Sequence, residues 1–351
     1  MTESLLHLTP AETRERLVAL GAKPFHAKVL REAVFAKGVR SYDQVTSLPA
    51  ALRERLAREL PILRGREVTR SVSRDETTKL LIELPGTDER PPARIETVHI
   101  PSRRRGRGAT LCVSTQVGCP VGCPFCASGR LGLERNLDRA EILEQFLRGA
   151  DLGDLSRVVV MGIGEPLLNL AELDAALKVV REELGIGARK ITVSTVGFPR
   201  RLDELGPTRP GFQLAISLHS PFDEERAELV PAMAGVPVEE VLAAGDRWFE
   251  ATGREITYEY VLLGGFNDTP RHADRLASRL RGRRATVNLI PYNVTGEGRD
   301  DPFRRPHRGD VDRFAEALGG AGVVATVRWS RGHDGDAACG QLRLRGTGST
   351  P

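Results

Sequence analysis

The sequence has few cysteines and lacks the long apolar runs that would place it in a membrane. Its cysteines number five, which is odd, and four of them lie between positions 112 and 126. A secreted disulfide framework would not look like this, so the pattern fits a reducing cytoplasm and a reactive or metal-binding role. No apolar stretch approaches a membrane span, and the N-terminal residues show no signal peptide. We therefore expect a cytoplasmic protein without a membrane partner.

Strong charge of one sign is also missing. Lys and Arg total 51 against 47 Asp and Glu, which gives a net charge of +4. This balance neither demands nor excludes nucleic acid, so local clustering has to decide. One cluster stands out, because four arginines occur in the five residues 103–107. It suits phosphate contacts, but a charged surface loop explains it equally well.

The order of predicted elements indicates three parts. Residues 1–62 carry helical patterns, including the N-cap sequence Thr9-Pro10-Ala11-Glu12, and residues 63–108 carry alternating strands that form a β extension or linker. From residue 109 to 345, apolar strands alternate with helices, which is typical of parallel βαβ units. The predicted fold class is α/β, a partial (β/α)6-type barrel behind a small N-terminal helical domain. Its strands are expected at Ala109–Val117, Arg157–Met161, Lys190–Ser194, Gln213–Leu218, Ile256–Leu262, Ala285–Ile290 and Val323–Trp329.

The loop after the first barrel strand holds Cys119, Cys123 and Cys126 at C-x3-C-x2-C spacing. Three thiolates on one short loop can hold three irons of a [4Fe-4S] cluster and leave the fourth iron open to a small molecule. This spacing, with Phe125 before the last cysteine, resembles the radical S-adenosylmethionine enzymes. A structural zinc site is the alternative, but zinc usually takes two C-x2-C or C-x2-H pairs, and the sequence has a single C-x2-C.

Polar residues follow several other predicted strands, at the end of a barrel where active sites gather. Glu165 can accept a hydrogen bond from an ammonium group, and the glycine before it allows close backbone approach. Hydroxyl, imidazole and amide groups at the later strand ends can bind a carboxylate, ribose or adenine. The candidate ligand-binding residues are Gly164, Glu165, Ser194, Ser217, Leu218, His219 and Asn293.

Two cysteines remain outside the cluster loop. Cys112 lies on the first barrel strand, where a cysteine is by default a small buried hydrophobe. Cys339 lies in a Gly-rich segment after the last strand, a setting that suggests a nucleophile. Together with CVSTQVGC at 112–119, CPFC, MGIGEPLLN, ITVSTVG, LAISLHSP, LIPYN and DAACGQL, these residues resemble the RlmN/Cfr family of radical S-adenosylmethionine RNA methyltransferases. The resembling segments run through roughly residues 95–343.

The resemblance implies a mechanism with two S-adenosylmethionine molecules per cycle. Cys339 would take a methyl group from the first, and the second would yield a radical that activates this S-methylcysteine for addition to adenine. Cys112 would resolve the protein–RNA bond and form a transient disulfide with Cys339, and Glu96 would act as an acid or base. The residues from Gly164 to Asn293 given above match family positions that contact S-adenosylmethionine.

The resemblance also implies the partners. The expected substrate is an adenosine of 23S rRNA in the peptidyl transferase region, methylated at carbon 2, with a tRNA adenosine beside the anticodon as a second substrate. The expected electron donor is a flavodoxin or ferredoxin, and the protein is expected to be a monomer. Three alternatives remain: Cfr-type methylation at carbon 8, a radical enzyme acting on a protein or small molecule, and a non-catalytic, zinc-stabilised RNA-binding protein.

Overall fold

The fold is built around one ten-stranded sheet. The structure is a computed structural model that describes residues 3–86, 91–295 and 301–342. Two further strands, β5 and β6, form a small separate sheet. In chain order the strands are β1 (Arg66–Val72), β2 (Thr78–Leu84), β3 (Ala93–Ile100), β4 (Ala109–Cys112), β5 (Gln116–Gly118), β6 (Leu133–Asn136), β7 (Leu155–Val160), β8 (Ile191–Thr195), β9 (Gln213–Ser217), β10 (Ile256–Leu262), β11 (Ala285–Pro291) and β12 (Ala325–Val327).

Ten α-helices accompany these strands in the described part of the chain. They are α1 (Pro10–Ala19), α2 (Phe25–Arg31), α3 (Ala50–Glu59), α4 (Arg139–Ala150), α5 (Leu170–Glu182), α6 (Pro199–Leu205), α7 (Asp223–Leu229), α8 (Val238–Thr252), α9 (Pro270–Leu280) and α10 (Arg308–Gly320). A short π-helical segment, Glu32–Ala36, continues α2. Within the described ranges, no helix combines the length and apolar character needed to cross a membrane.

The sheet changes from antiparallel to parallel at β4. Its order is β1-β2-β3-β4-β7-β8-β9-β10-β11-β12. The pairings from β1 to β4 are antiparallel, and every pairing from β4 to β12 is parallel. Helices follow the parallel strands, so the predicted α/β partial barrel is confirmed. The carboxyl ends of the parallel strands share one edge, which brings the loops after them together.

The first predicted barrel strand differs from the structure. The sequence predicted one strand over Ala109–Val117, whereas β4 ends at Cys112 and β5 begins at Gln116. Between them the side chain of Ser114 donates to the carbonyl oxygen of Glu96, and its amide donates to Gln145 Oε1. These bonds replace the regular ladder, so β5 leaves the large sheet and pairs with β6. The last strand is also shorter than predicted, because β12 covers only Ala325–Val327.

The N-terminal helices form as the sequence predicts and pack on the barrel. The Glu12 amide donates to the Thr9 hydroxyl oxygen, and the Thr9 amide donates to the Glu12 carboxylate. These two bonds complete a capping box. On the facing side, Arg31 makes two hydrogen bonds of 2.8 and 2.6 Å to the Glu183 carboxylate just after α5. The division into parts at residues 62 and 108 stays a prediction, and residues 343–345 of the third part lie outside the described residues.

Candidate active site

The three-cysteine loop begins directly after β5 and is held by close backbone contacts. Gly118 has a φ of 75°, and a Cβ there would lie 1.8 Å from the Gly132 carbonyl oxygen, so only glycine fits. The Cys119 amide donates to that same Gly132 oxygen at 2.8 Å. Phe125 packs edge-on against His219, with ring centroids 4.9 Å apart. The loop is therefore fixed against both the small sheet and the end of β9.

A cavity with several polar side chains in a largely apolar lining lies at the carboxyl end of the barrel and collects most of the predicted ligand-binding residues. Its walls also include Thr195, whose hydroxyl follows Ser194 at a predicted strand end, and residues that the sequence did not single out, such as Glu259 and Val261. Leu218 is absent from these walls, because its side chain is fully buried in the apolar core. The predicted residues that line the cavity are Cys119, Cys123, Cys126, Gly164, Glu165, Ser194, Ser217, His219, Asn293 and Cys339.

Glu165 is oriented by backbone donors. Its carboxylate accepts from the Val196 amide at 2.9 Å and the Leu167 amide at 3.0 Å, and the residue is 2 % exposed. Burial raises the pKa of this carboxyl group, while the hydrogen bonds from its neighbours oppose the rise. At the preceding residue, Gly164 has a φ of 114°, and a Cβ would lie 2.6 Å from Thr115 Oγ1. The glycine thus lets the strand end pass close to the β4–β5 connection.

His219 and Asn293 are both held by the protein itself. His219 has a φ of 62°, and its Nδ1 accepts from the Val261 amide at 3.1 Å, which leaves Nε2 as the donor. Burial, with the nearby positive charge of Arg226, lowers the pKa of His219 to about 3, so the ring is neutral. Asn293 Nδ2 donates to the Cys339 carbonyl at 3.0 Å and to Ser330 at 2.9 Å. In this structure the Asn293 side chain therefore holds the segment that carries Cys339.

The cysteine thiols and the nearby Arg226 guanidinium fit a negatively charged iron–sulfur cluster. Burial raises the pKa of the Cys119 thiol to about 12, and it raises that of Cys123 as well. Arg226 lies close enough to lower the pKa of Cys123 and is itself 1 % exposed. Its Nη1 atom has no hydrogen-bond partner among the described residues. A buried guanidinium with a spare donor suits a site for three thiolates and iron, since a buried charge needs an opposite charge nearby.

A second, smaller cavity adjoins the first and contains the other two cysteines. Cys112, Cys339, Met161 and Arg328 all line it, and Cys339 with Gly340 lines both cavities. Cys112 ends β4, opposite Val98 of β3 and Val159 of β7. All five cysteines are free in the structure, so the transient disulfide stays a prediction.

Around this second cavity, one arginine lies near two cysteines and one glutamate. Burial, together with negative charge on Cys339, raises the pKa of the Cys112 thiol to about 12, and Arg328 opposes this rise. The same charges act on Arg328, because Cys339, Glu259 and Cys112 favour its protonated form and raise its pKa. Burial also raises the pKa of Glu259, against the effect of Arg328. Arg328 is therefore the cation that balances two thiols and a carboxyl group.

Glu96 lies beside this cavity but does not line it. It shares a face of β3 with Val98, which does line the cavity. The Lys79 ammonium lies 2.9 Å from Glu96 Oε1 and donates to the Asp336 carbonyl at 3.0 Å. Lys79 thus connects the predicted acid or base to the segment that carries Cys339.

Sequence reasoning missed four charged residues of the site. Lys79 and Glu259 sit inside predicted strands, and Arg226 and Arg328 are two arginines among many. In the structure Arg226 and Glu259 are buried, with 1 % and 4 % of their surface exposed, and Lys79 and Arg328 are half-buried. The one usable signal was Glu259 within the apolar strand Ile256–Leu262, because a carboxylate among core residues needs a polar partner.

The fold and the site together define a radical S-adenosylmethionine enzyme. Parallel βα units surround a cavity at the barrel's carboxyl end, and the C-x3-C-x2-C loop lines this cavity. Residues 113–277 match the family model of the Radical SAM superfamily. A crystal structure of a radical SAM methyltransferase from Sphaerobacter thermophilus is similar, with a TM-score of 0.90 and 40% identity; the match covers 98% of this chain and 100% of that one.

Curated relatives narrow the class further. The chain is 44% identical over 98% of its length to a probable dual-specificity RNA methyltransferase RlmN of Parasynechococcus marenigrum, of which it covers 100%. It is also 44% identical to the protein of that name from Rhodopirellula baltica, over 97% of this chain and 90% of that one. The chain belongs to the RlmN family of RNA methyltransferases. This placement implies a [4Fe-4S] cluster, S-adenosylmethionine and an RNA substrate, and it favours the cluster over a zinc site.

Proposed function

We propose that the protein methylates carbon 2 of an adenosine in the peptidyl transferase region of 23S rRNA, with an S-methylcysteine at Cys339 as intermediate. The observation that carries the proposal is the position of Cys339, which lines both the cavity of the three-cysteine loop and the cavity of Cys112. One side chain can therefore face S-adenosylmethionine and the second thiol from a single segment.

Cys119, Cys123 and Cys126 would hold the [4Fe-4S] cluster, and Glu165 with its neighbours would hold S-adenosylmethionine. The bound cluster supplies an electron that cleaves S-adenosylmethionine to a radical. The carboxylate of Glu165 faces the cavity next to the hydroxyls of Ser194 and Ser217, which lie 3.5 Å apart. This set of acceptors and donors suits the ammonium and ribose groups of the cofactor. Two cofactor molecules are consumed per cycle, one for each role.

Cys339 would act first as a nucleophile and Cys112 last as a base. Methylation of Cys339 removes the possibility of negative charge on its sulfur. That charge is one of the causes that raise the pKa of Cys112, so its removal lowers this pKa while Arg328 stays beside the thiol.

Cys112 would then take the proton from the adenine carbon of the protein–RNA adduct, and the unpaired electron of the adduct would return to the oxidised cluster. The Cys112 sulfur would next attack the Cys339 sulfur, so that the S–S bond forms as the bond between the Cys339 sulfur and the methylene carbon breaks. That carbon would take a proton and leave on the RNA as the methyl group, with a Cys112–Cys339 disulfide left in the protein. Glu96, held by Lys79, is proposed as an acid or base in the same steps.

The remaining assignments concern substrates and partners. The relatives carry a name that includes the words dual-specificity, which supports a second RNA substrate, and we propose a tRNA adenosine beside the anticodon. A flavodoxin or ferredoxin is the proposed electron donor, and the protein is proposed to act as a cytoplasmic monomer. The RlmN name of the relatives supports carbon 2 over Cfr-type methylation at carbon 8.

The test is nucleoside mass spectrometry after anaerobic reaction with S-adenosylmethionine and a reductant. Separate reactions contain 23S rRNA and tRNA from cells that lack the enzyme. We expect 2-methyladenosine in the rRNA and in a subset of tRNAs. Finding 8-methyladenosine instead would overturn the carbon 2 assignment, and finding no methyladenosine with about four irons per chain present would overturn the proposed substrate.

A further inference from the structure

The chain contains two tryptophans, and they occupy opposite environments. Trp248 lies on α8 and is buried in the protein core, with 1 % of its surface exposed. Trp329 lies just after β12 and is 42 % exposed. A tryptophan is the largest apolar side chain, so its exposure is worth explaining when it lies next to a functional cavity.

Trp329 lines the cavity that contains Cys112 and Cys339. Its neighbour Arg328 points a charge toward those thiols, and Ser330 accepts a hydrogen bond from Asn293. The indole is therefore placed at the point where the cavity meets the surface. An adenine that reaches Cys339 through this cavity therefore passes the ring.

Two arginines flank the ring without covering it. The guanidinium carbons of Arg305 and Arg308 lie 5.8 and 5.6 Å from the ring centroid of Trp329. In a closer pair of the same molecule, the guanidinium carbon of Arg271 lies 4.2 Å from the ring centroid of Phe222. The arginines of Trp329 thus sit near the limit of a cation–π contact and leave ring surface open.

These two arginines also provide positive charge at the cavity mouth. Arg308 is 81% exposed at its side chain and pairs with Asp312 only at 4.0 Å, so its charge is largely free for another anion. Arg305 donates to the Tyr292 carbonyl and to Asn293 Oδ1, both at 3.3 Å, which fixes its position beside the site. Open aromatic surface beside two guanidinium groups is a combination that binds unpaired nucleotides, with stacking for the base and charge for the phosphate.

We propose that Trp329 stacks against an unpaired base next to the target adenosine, while Arg305 and Arg308 contact the adjoining phosphates. The proposal deepens the proposed function and rests on its RNA substrate. Stacking of the neighbouring base would hold the strand open at the cavity mouth, so that the target adenine can leave its own stack and reach Cys339. It predicts a preference for adenosines in single-stranded loops over those in continuous helices.

The two tryptophans make this contact measurable by intrinsic fluorescence. The anaerobic holoenzyme is titrated with a short RNA hairpin whose loop carries unpaired adenosines, and with a blunt RNA duplex of the same length. We expect the hairpin to quench the emission of Trp329 and the duplex to leave it unchanged. In Trp329→Phe the remaining signal comes from the buried Trp248 and should not respond to either RNA. Hairpin binding, seen by anisotropy of a labelled RNA, without quenching in the wild type would overturn the proposal.

Variants separate stacking from simple covering of the cavity. Trp329→Leu keeps an apolar cover but removes the stacking face, and we expect hairpin affinity to fall about five-fold or more, with Trp329→Phe retaining most of it. The matched control is Phe249→Leu on α8, where Arg284 lies 5.9 Å from the ring and no described cavity wall of the site includes the residue. Equal affinity of Trp329→Leu and wild type would contradict the proposal.

The proposed phosphate contact of Arg308 is tested by the salt dependence of RNA binding. Arg308→Gln should weaken binding of the hairpin and reduce the slope of log affinity against log salt by about one. An unchanged slope would overturn the role of Arg308. Binding and quenching need no turnover, so a lack of 2-methyladenosine in the nucleoside assay would refute the proposed function without altering these results.

Discussion

At the scale of single residues, the site depends on two thiols in different surroundings. Cys112 is fixed in the large sheet between β3 and β7, and Cys339 lies in a segment without regular strand or helix structure. Cys339 lines two cavities, whereas Cys112 lines only the smaller of the two. This contrast suits a methyl carrier and a resolving partner.

Replacing the proposed methyl carrier should stop transfer without disturbing the metal site. In Cys339→Ala the three-cysteine loop keeps its own contacts, so we expect about four irons and four sulfides per chain and no methylated adenosine. Iron and sulfide analysis and nucleoside mass spectrometry check both parts. Retained turnover would refute the carrier role, and Cys119→Ala serves as the control that should lose the cluster.

Replacing the proposed resolving thiol should trap the reaction. We expect Cys112→Ala to accumulate a covalent protein–RNA adduct during reaction with S-adenosylmethionine and reductant, because no thiolate is present to remove the proton that precedes release. Denaturing electrophoresis and mass spectrometry of the protein would detect the adduct. Free, fully methylated RNA from this variant would show that another group resolves the bond.

Lys79 belongs to the same scale, because one ammonium group contacts both Glu96 and the Asp336 carbonyl oxygen. Lys79→Met removes a cation 2.9 Å from the Glu96 carboxylate, which is 1 % exposed, and we expect a loss of about 3 kcal/mol or more in unfolding free energy. Adding Glu96→Gln should recover much of this loss, since the neutral amide does not depend on the Lys79 charge. Urea denaturation of the anaerobic protein measures both variants; equal stability of Lys79→Met and wild type would show that the pair is not coupled.

At the scale of elements, the β extension holds the Cys339 segment in place. Asp75, in the turn between β1 and β2, accepts from Arg331 Nε at 3.0 Å and from the Gly332 amide at 3.2 Å. Arg331 also donates to the carbonyl oxygens of Asp75 and Pro101. The extension was predicted as a separate part, yet these bonds make it the support of the segment that carries Cys339.

Weakening this support should loosen the segment locally. Asp75→Asn removes the charge from its bonds to Arg331 and Gly332, and we expect the opening free energy of residues 331–342 to fall by about 1.5–3 kcal/mol. Hydrogen exchange of the Ala337 and Gln341 amides, which donate to Gly332 and Ala338, reports the change. Glu83→Gln, in an ion pair with Arg66 on the outer face of the same hairpin, should leave that exchange unaltered. Unchanged protection in Asp75→Asn would contradict the supporting role.

At the scale of the whole molecule, the N-terminal helices and the barrel share one apolar core. Leu17, Leu30 and Leu56 of the helices belong to the same buried cluster as the barrel residues. Arg31 crosses between the two parts and, besides Glu183, donates to the Leu8 carbonyl and Thr13 Oγ1, each at 2.9 Å. The helices therefore contribute to the stability of the barrel as well as to its surface.

Breaking the Arg31 network should destabilise the whole chain. Arg31→Met leaves Glu183 and two further acceptors unpaired, and we expect a loss of about 3–5 kcal/mol in unfolding free energy. Arg16→Met is the matched control, since Arg16 pairs with Glu59 at 3.8 Å with both side chains over a third exposed, and it should cost about 0–1 kcal/mol. Urea denaturation followed by circular dichroism compares them; equal losses would argue against a special role for the buried pair.

The sequence by itself determined the class of fold and the kind of chemistry. Apolar strands alternating with amphipathic helices permit few arrangements other than parallel βα units, and three cysteines within eight residues are close in space whatever the rest of the chain does. The capping boxes at Thr9 and Asp138 were likewise predictable, because their bonds are local. The Gly-rich setting of Cys339 suggested a nucleophile, whereas a role for Cys112 came only from the family resemblance.

Only the tertiary structure decided which charges surround the thiols. Lys79, Arg226, Glu259 and Arg328 are ordinary charged residues in the sequence, and their effect depends on burial and on partners far away along the chain. The split between β4 and β5 has the same origin, since Ser114 exchanges the sheet ladder for bonds to Glu96 and Gln145. Electrostatic and hydrogen-bond energies depend on distance and dielectric, which the order of residues does not specify. The spacing of cysteines predicted where the radical chemistry starts, and the packing of β3, β4 and the Cys339 segment decided which two thiols lie together.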